Sequence, residues 1–480
     1  MNPRTVSRLT SHLLFLVAAF MLSPLALALW DGQARAALAY GATVTLTVAV
    51  AAVLRLVGRG ADIVHRKDAL GVVALTWLLL GVVGGLPFLL EGSILNPASA
   101  LFEAVSGFTT TGATVVANVE DLSRAANLWR CLMHWIGGMG IVVLFVAVFP
   151  HLGVGAKHLF KSEVPGPITE GLRPKIKHTA LVLWWVYAGM TFVCAALLIV
   201  VGMPVFDAIC HAFSTLGTGG FSPKAASIGH YQNAAVDWIV YGFMMLAGLN
   251  FALYFQALRG RPLDLLRNYE VRFYVGANIV IILIVFACIL GRHPDALTAL
   301  RFAAFQTAAV TTTTGFMTED FDTYPDVARF ILFIAMFMGA CAGSTAGGLK
   351  ASRVYALFKL ALRELSNAIH PSVVVPVRLG GARVPAEVLS GIAVYFGAYI
   401  MLFAAASLVL VACGLDLVSA TSSTIACLSS IGPGLAKVGP AQNYEFIPAL
   451  GKLVLVFCMI AGRLEIFALL AVFSPECWRR

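Results

Sequence analysis

The chain has 480 residues, 59% of them hydrophobic and only 12% charged, with a mean hydropathy of +0.87. Soluble domains carry about twice that share of charge, so the composition excludes a water-soluble globular protein. Nine cysteines scattered singly, without CxxC or spaced pairs, exclude a disulfide framework and a zinc site, and the net charge of +9 has to be judged by where it falls.

Ten apolar stretches of about twenty residues, enough to cross a bilayer, are predicted at 11–30, 38–56, 70–90, 129–149, 179–202, 236–257, 272–291, 328–349, 387–413 and 447–474. The first follows Arg4 and Arg8 and reaches Ala26-Leu27-Ala28, as a secretory signal does. Its apolar run exceeds the usual ~7–15 residues, so an uncleaved helix is expected. Lys and Arg then collect after every second span. They are Arg55, Arg59, Arg66 and Lys67; Lys157, Lys161, Arg173, Lys175 and Lys177; Arg259, Arg261, Arg267 and Arg272; Lys350, Arg353, Lys359, Arg363, Arg378 and Arg383; Arg479 and Arg480. The positive-inside rule puts both termini in the cytoplasm. The basic charge marks topology, and no nucleic-acid partner is expected.

Four external connections hold apolar segments too short to cross: NPASALFEAVSGF (96–108), MPVFDAICHAFS (203–214), HPDALTALRFAAFQTAAV (293–310) and DLVSATSSTIACLSS (416–430). In the first, Asn96 can cap a helix and Pro97 can open it. A polar, Gly-containing stretch follows each: SGFTTTGATV (106–115), FSTLGTGGFS (213–222), VTTTTGFMTED (310–320) and LSSIGPGLAK (428–437). Aligning Gly112, Gly217, Gly315 and Gly432 gives a repeat of roughly a hundred residues. The predicted fold is an all-α membrane protein, a single-chain pseudo-tetramer. A two-helix hairpin (1–67) precedes four units (68–177, 178–270, 271–384 and 385–480), each reading outer helix, pore half-helix, turn, inner helix.

Irregular backbone at membrane depth is tolerated only where protein buries it or where it lines water. Four such turns meeting on one axis satisfy that condition, and each can turn carbonyls toward a dehydrated cation. Gly supplies the positive φ this requires, and Thr adds a hydroxyl. The expected filter is Thr110-Thr111-Gly112-Ala113, Thr215-Leu216-Gly217-Thr218, Thr313-Thr314-Gly315-Phe316 and Ser430-Ile431-Gly432-Pro433. Such carbonyl rings replace the hydration shell of K⁺ in the TVGYG loops of K⁺ channels.

MGACAGSTAGGLKASR (338–353) breaks the inner helix of the third unit with glycines at GxxxG spacing. Close helix packing would use that spacing, but Ser344, Thr345 and so many glycines make a poor helix. A gating loop is expected from Gly343, Ser344, Thr345, Ala346, Gly347, Gly348 and Lys350. Arg463 lies mid-span, where a charge is costly and by default functional; it is expected to touch that loop. Arg130, Arg329 and Lys452, near span ends, are expected to snorkel. Glu319, Asp320, Asp322 and Asp326 are read as a solvated loop, with concentration of cations as the alternative.

These motifs, with WIGGMGIVVL (135–144), LAGLNFALYF (246–255), AGSTAGGLK (342–350) and GRLEIF (462–467), resemble the Trk/Ktr/HKT superfamily of potassium transporters over essentially the whole chain, and within it the TrkH/TrkG branch. The resemblance implies a homodimer in a bacterial inner membrane, a cytosolic nucleotide-binding regulatory subunit of the TrkA kind, and the gating role of the loop. Gly at all four aligned positions implies preference for K⁺ with Rb⁺ tolerated. Ser430, Pro433 and Ala113 depart from uniformity and leave the strictness of selection open. Sodium or poorly selective cation transport, and a K⁺ sensor that does not translocate, are the alternatives. Proton symport and channel-like flux are not distinguished. No catalytic constellation, phosphate loop or His cluster is found, so neither enzyme activity nor a bound cofactor is expected. The internal segments 151–178 and 350–386 are basic and long enough to dock a regulatory partner or lipid headgroups.

Overall fold

The computed structural model describes residues 2–59, 66–148, 176–373, 375–464, 466, 467, 469 and 474. Lys157, Lys161, Arg173, Lys175, Arg479 and Arg480, counted above toward the orientation, lie outside them.

An N-terminal hairpin of α1 (Pro3–Trp30) and α2 (Ala34–Val57) packs beside α3 (Arg66–Glu91). Unit 1 is α3, the half-helix α4 (Pro97–Phe108) and the inner helix α5 (Arg124–Val148). Unit 2 is α6 (Ile176–Val200), the half-helix α7 (Val205–Gly217) and an inner helix in two pieces, α8 (Ala234–Ala247) and α9 (Phe251–Leu258). A short α10 (Leu263–Arg267) leads to unit 3: α11 (Tyr269–Ile289), the half-helix α12 (Ala296–Thr311), and an inner helix interrupted between α13 (Asp326–Ala335) and α14 (Ala351–Ile369). After a two-stranded hairpin (Arg378–Leu379 with Ala382–Arg383), unit 4 is α15 (Ala386–Ala412), the half-helix α16 (Leu417–Leu428) and α17 (Ala449–Leu464). The chain is a multi-pass membrane protein. Among the described residues six helices are long and apolar enough to cross a membrane, with α8 and α9 together as a seventh, broken span.

The half-helices start where local chemistry starts them. Asn96 Oδ1 accepts from the Ala98 N–H at 2.9 Å with Pro97 in the first helical position. Asp295 caps α12 through Thr298 N at 2.7 Å, and Asp416 caps α16 through Ser419 N at 3.0 Å. A side-chain oxygen there satisfies a donor that the first helical turn leaves unpaired. In each of the first three units the half-helix also packs on the preceding unit's inner helix: α4 on α17, α7 on α5 and α12 on α8. At the fourth junction the inner helix of unit 3 is interrupted, and Gly347 of the interrupting loop lies against the Ser429 carbonyl.

Two predicted spans differ from the structure. The stretch 236–257 is bent by 94°, because Asn250 caps a new helix at the Ala252 N–H, 2.8 Å away. The stretch 328–349 is helical only to Ala335, and residues 336–350 run as turns and bends.

Candidate functional site

All four half-helices end alike. Thr110, Thr218, Thr313 and Ser430 take left-handed φ values of 56, 52, 57 and 59°. The next residue donates its N–H back into the half-helix: Thr111 to Ser106 O (2.8 Å), Gly219 to Ser214 O (2.9 Å), Thr314 to Ala309 O (2.9 Å) and Ile431 to Ala426 O (2.8 Å). A glycine with positive φ follows in each: Gly112, Gly220, Gly315 and Gly432, at 81, 80, 74 and 96°.

These glycines close a ring. A Cβ on Gly112 would collide with the Gly219 carbonyl oxygen, one on Gly220 with that of Thr314, and one on Gly315 with that of Ile431. One on Gly432 would lie 2.6 Å from that of Thr111. Unit 1 therefore abuts unit 2, unit 2 abuts unit 3, unit 3 abuts unit 4, and unit 4 returns to unit 1. Backbone can approach backbone this closely only without a side chain.

The ring corrects one predicted segment. Thr215, Leu216 and Gly217 form the last turn of α7, and Gly217 is seated against the His134 carbonyl of α5. Only Thr218 of that quartet has the ring geometry, and Gly219, Gly220 and Phe221 follow it. FSTLGTGGFS contains two T-x-G frames three residues apart, and the earlier glycine serves helix packing. The other three segments lie as aligned, with Thr110 to Ala113, Thr313 to Phe316 and Ser430 to Pro433 brought together.

A β-branched residue in left-handed conformation is a genuine outlier, costing on the order of 1–3 kcal/mol. Glycine would remove that cost, yet three threonines and a serine stand there. The Thr110 and Ser430 hydroxyls are buried without a hydrogen-bond partner among the described residues. Thr218 Oγ1 donates to Gly217 O at 2.7 Å, and Thr313 Oγ1 accepts from the Gly347 N–H at 2.8 Å.

That last bond ties the ring to the interrupting loop. Gly339, Gly343 and Gly348 adopt φ of 64, 74 and 70° there. Ser344 Oγ bonds Cys341 O (2.6 Å), Thr345 Oγ1 bonds Ala247 O (3.3 Å), and the Lys350 ammonium bonds Ala346 O. Phe251 N donates to Gly343 O, and Cys341 N to Gly248 O, so the loop rests in the break between α8 and α9. Glu270, at the start of α11, accepts from Ala342 N (2.7 Å) and Ser352 N (3.1 Å) and so clasps both ends of the loop. Arg463 lies where expected: Nη1 donates to Thr345 O at 2.6 Å and Nη2 to Gly137 O at 3.1 Å.

Other charges depart from expectation. Arg130 does not snorkel; it is 1% exposed, with Nε 2.8 Å from Glu103 Oε1. Lys452 is buried too, its ammonium bonding Ser99, the Glu445 carbonyl and the Glu445 carboxylate. Arg329 pairs with Asp322 and Asp326 in the turn after the unit 3 ring segment, and the Tyr324 hydroxyl donates to Glu319. A single guanidinium thus serves two of the four carboxylates, and the acidic loop keeps most of its charge.

The comparison that decides the family is a model described as TrkH cation transport protein, which matches residues 40–479. The chain belongs to the TrkH family. As a member of that family it is a transporter and not an enzyme. It is 38% identical to the Trk system potassium uptake protein TrkH of Halomonas elongata over 488 residues, 100% of each chain. It is 37% identical to the protein of that name from Escherichia coli K12 over 489 residues, again 100% of each. Its fold is similar to the crystal structure of the potassium transporter TrkH from Vibrio parahaemolyticus, with TM-score 0.89, 34% identity and full coverage of both chains. The predicted all-helical pseudo-tetramer is the architecture of this TrkH family member.

Proposed function

We propose that this chain takes up potassium across the bacterial inner membrane through the four-sided ring, with both termini in the cytoplasm. The single observation that carries the reading is the cyclic seating of Gly112, Gly220, Gly315 and Gly432 on the carbonyls of Gly219, Thr314, Ile431 and Thr111. Those four carbonyls belong to equivalent residues, and a ring of this kind can substitute for the hydration shell of K⁺. The hydroxyls of Thr110, Thr218, Thr313 and Ser430 form the neighbouring layer, which gives a reason for tolerating left-handed strain. Each half-helix directs a C-terminal partial charge of about −0.5 toward the space beyond, which favours cations. The names of the relatives support potassium as the ion, with Rb⁺ as a surrogate.

In this reading Gly112 to Ala113, Thr218 to Phe221, Gly315 to Phe316 and Gly432 to Pro433, with the residues just before each glycine, are the ion-binding segments. The loop 343–348 is the gate, held shut by Arg463 and Glu270. A homodimer and a cytosolic nucleotide-binding regulatory subunit fit the family resemblance and the basic internal segments. The test is uptake of radioactive rubidium into K⁺-loaded liposomes holding the purified chain, with excess K⁺ or Na⁺ as competitor. Block by K⁺ but not by Na⁺ is expected. Equal block by both ions would support a poorly selective pathway, and absence of uptake after shortening 343–348 would support a non-translocating sensor.

A further inference from the structure

Each half-helix sends one polar side chain to the backbone or hydroxyls just past its ring glycine. In unit 1 Glu103 accepts from Val115 N (2.9 Å) and Thr114 Oγ1 (3.0 Å). In unit 2 His211 bonds Asp207 O through Nδ1 (2.7 Å), leaving Nε2 to accept from the Ser222 hydroxyl at 3.0 Å. In unit 3 Gln306 Nε2 donates to Glu319 O (2.8 Å) and Thr318 Oγ1 (3.1 Å). In unit 4 Ser422 Oγ accepts from Leu435 N at 3.0 Å. All four side chains are fully buried.

These struts are alike in place and unlike in chemistry, because the first is an ion pair. Arg130 donates to Glu103 at 2.8 Å and to Thr114 Oγ1 at 3.1 Å, then crosses to unit 2, where Nη1 reaches the Ser222 carbonyl at 3.4 Å. Its guanidinium lies 4.1 Å from the centroid of Phe221, which follows the ring glycine Gly220. Burying two charges is costly, and apolar residues of the same volume often hold a fold as well or better. What apolar residues cannot do is fix two backbone limbs by directed bonds from a rigid planar fork.

We propose that Glu103 and Arg130 are positioning residues for ion selection: together they hold the outer limbs of units 1 and 2 apart at a fixed distance. The other three struts are neutral hydrogen bonds, so this junction is the stiff side of the ring. A smaller cation such as Na⁺ is well held only if the ring contracts around it. A wall that does not contract therefore shifts the difference of affinities toward K⁺. The inference rests on the ring being the ion filter, as proposed above.

The experiment measures rubidium uptake by the full chain in liposomes, with K⁺ and Na⁺ competing separately. The variants are Glu103→Gln, Arg130→Lys and the paired Glu103→Gln/Arg130→Met, which leaves no lone buried charge. Asp31→Asn, which removes the peripheral Arg124 pair, is the control. The paired variant is expected to lose roughly tenfold in preference for K⁺ over Na⁺, the scale of one charge-assisted hydrogen bond. Arg130→Lys is expected to fall between it and the parent, because an ammonium keeps the Glu103 charge partner but not the fork. The control is expected to keep the parental preference. A selective parent with unchanged preference in the folded paired variant, or in Arg130→Lys should the pair fail to fold, overturns the strut and leaves the filter standing. A parent that does not distinguish the two ions overturns the filter, and the strut with it.

Discussion

Arg463 Nη1 donates to the Thr345 carbonyl at 2.6 Å while Nη2 holds the Gly137 carbonyl at 3.1 Å. One guanidinium thus joins the inner helices of units 4 and 1 to the loop that interrupts the inner helix of unit 3. Hydrogen bonds to a charged group contribute about 1.5–3 kcal/mol each. Arg463→Gln is expected to shorten the reach and raise rubidium leak through the purified chain in liposomes roughly tenfold. Leak at the parental rate would remove Arg463 from the gate.

Glu270 clasps the loop from the other side, through the N–H groups of Ala342 and Ser352. Glu270→Ala takes away the Oε1 that accepts both bonds and is expected to raise leak and to speed hydrogen exchange at Ala342 and Ser352. Glu270→Gln keeps an acceptor oxygen and is expected to do less. Parental leak and exchange in both variants would show that the carboxylate is not the clasp.

Gly220 and Gly217 separate the two readings of the second turn. Gly220 has φ +80° and faces the Thr314 carbonyl, while Gly217 ends a helix against His134. Gly220→Ala is expected to abolish selective uptake, because backbone must shift within the ring. Gly217→Ala is expected chiefly to lower thermal stability, by about 1–3 kcal/mol for an overpacked helix contact. The reverse pattern would restore the earlier frame.

Thr110 is held left-handed, and its hydroxyl has no hydrogen-bond partner among the described residues. Thr110→Gly is expected to stabilise the fold by about 1–2 kcal/mol, the left-handed penalty of a residue with a Cβ, while weakening ion uptake. The checks are thermal unfolding in detergent and rubidium flux on the same preparation. Greater stability without loss of flux would show that the hydroxyl has no part in transport.

The fourfold plan was legible because hydropathy and Gly-Thr turns recur together, and because Asn96-Pro97 spells out a helix start. The frame of the second turn was not, since T-L-G and T-G-G are indistinguishable until His134 is seen to occupy the space beside Gly217. The break at Asn250 was hidden by apolar residues on both sides of LAGLNFALYF. Arg130 read as a snorkelling residue because its partner Glu103 is 27 positions away and on another helix. Long-range pairing of that sort leaves no periodic trace. Arg463 was legible for the opposite reason, since a charge amid an apolar span demands a partner wherever it lies.

The most direct measurement is anomalous diffraction from crystals of the chain equilibrated with rubidium or thallium ions, which does not depend on the gate being open. Density is expected on the axis enclosed by the carbonyls of Thr111, Gly219, Thr314 and Ile431. Saturating ion with no density inside that ring, or with density only elsewhere in the protein, would contradict it.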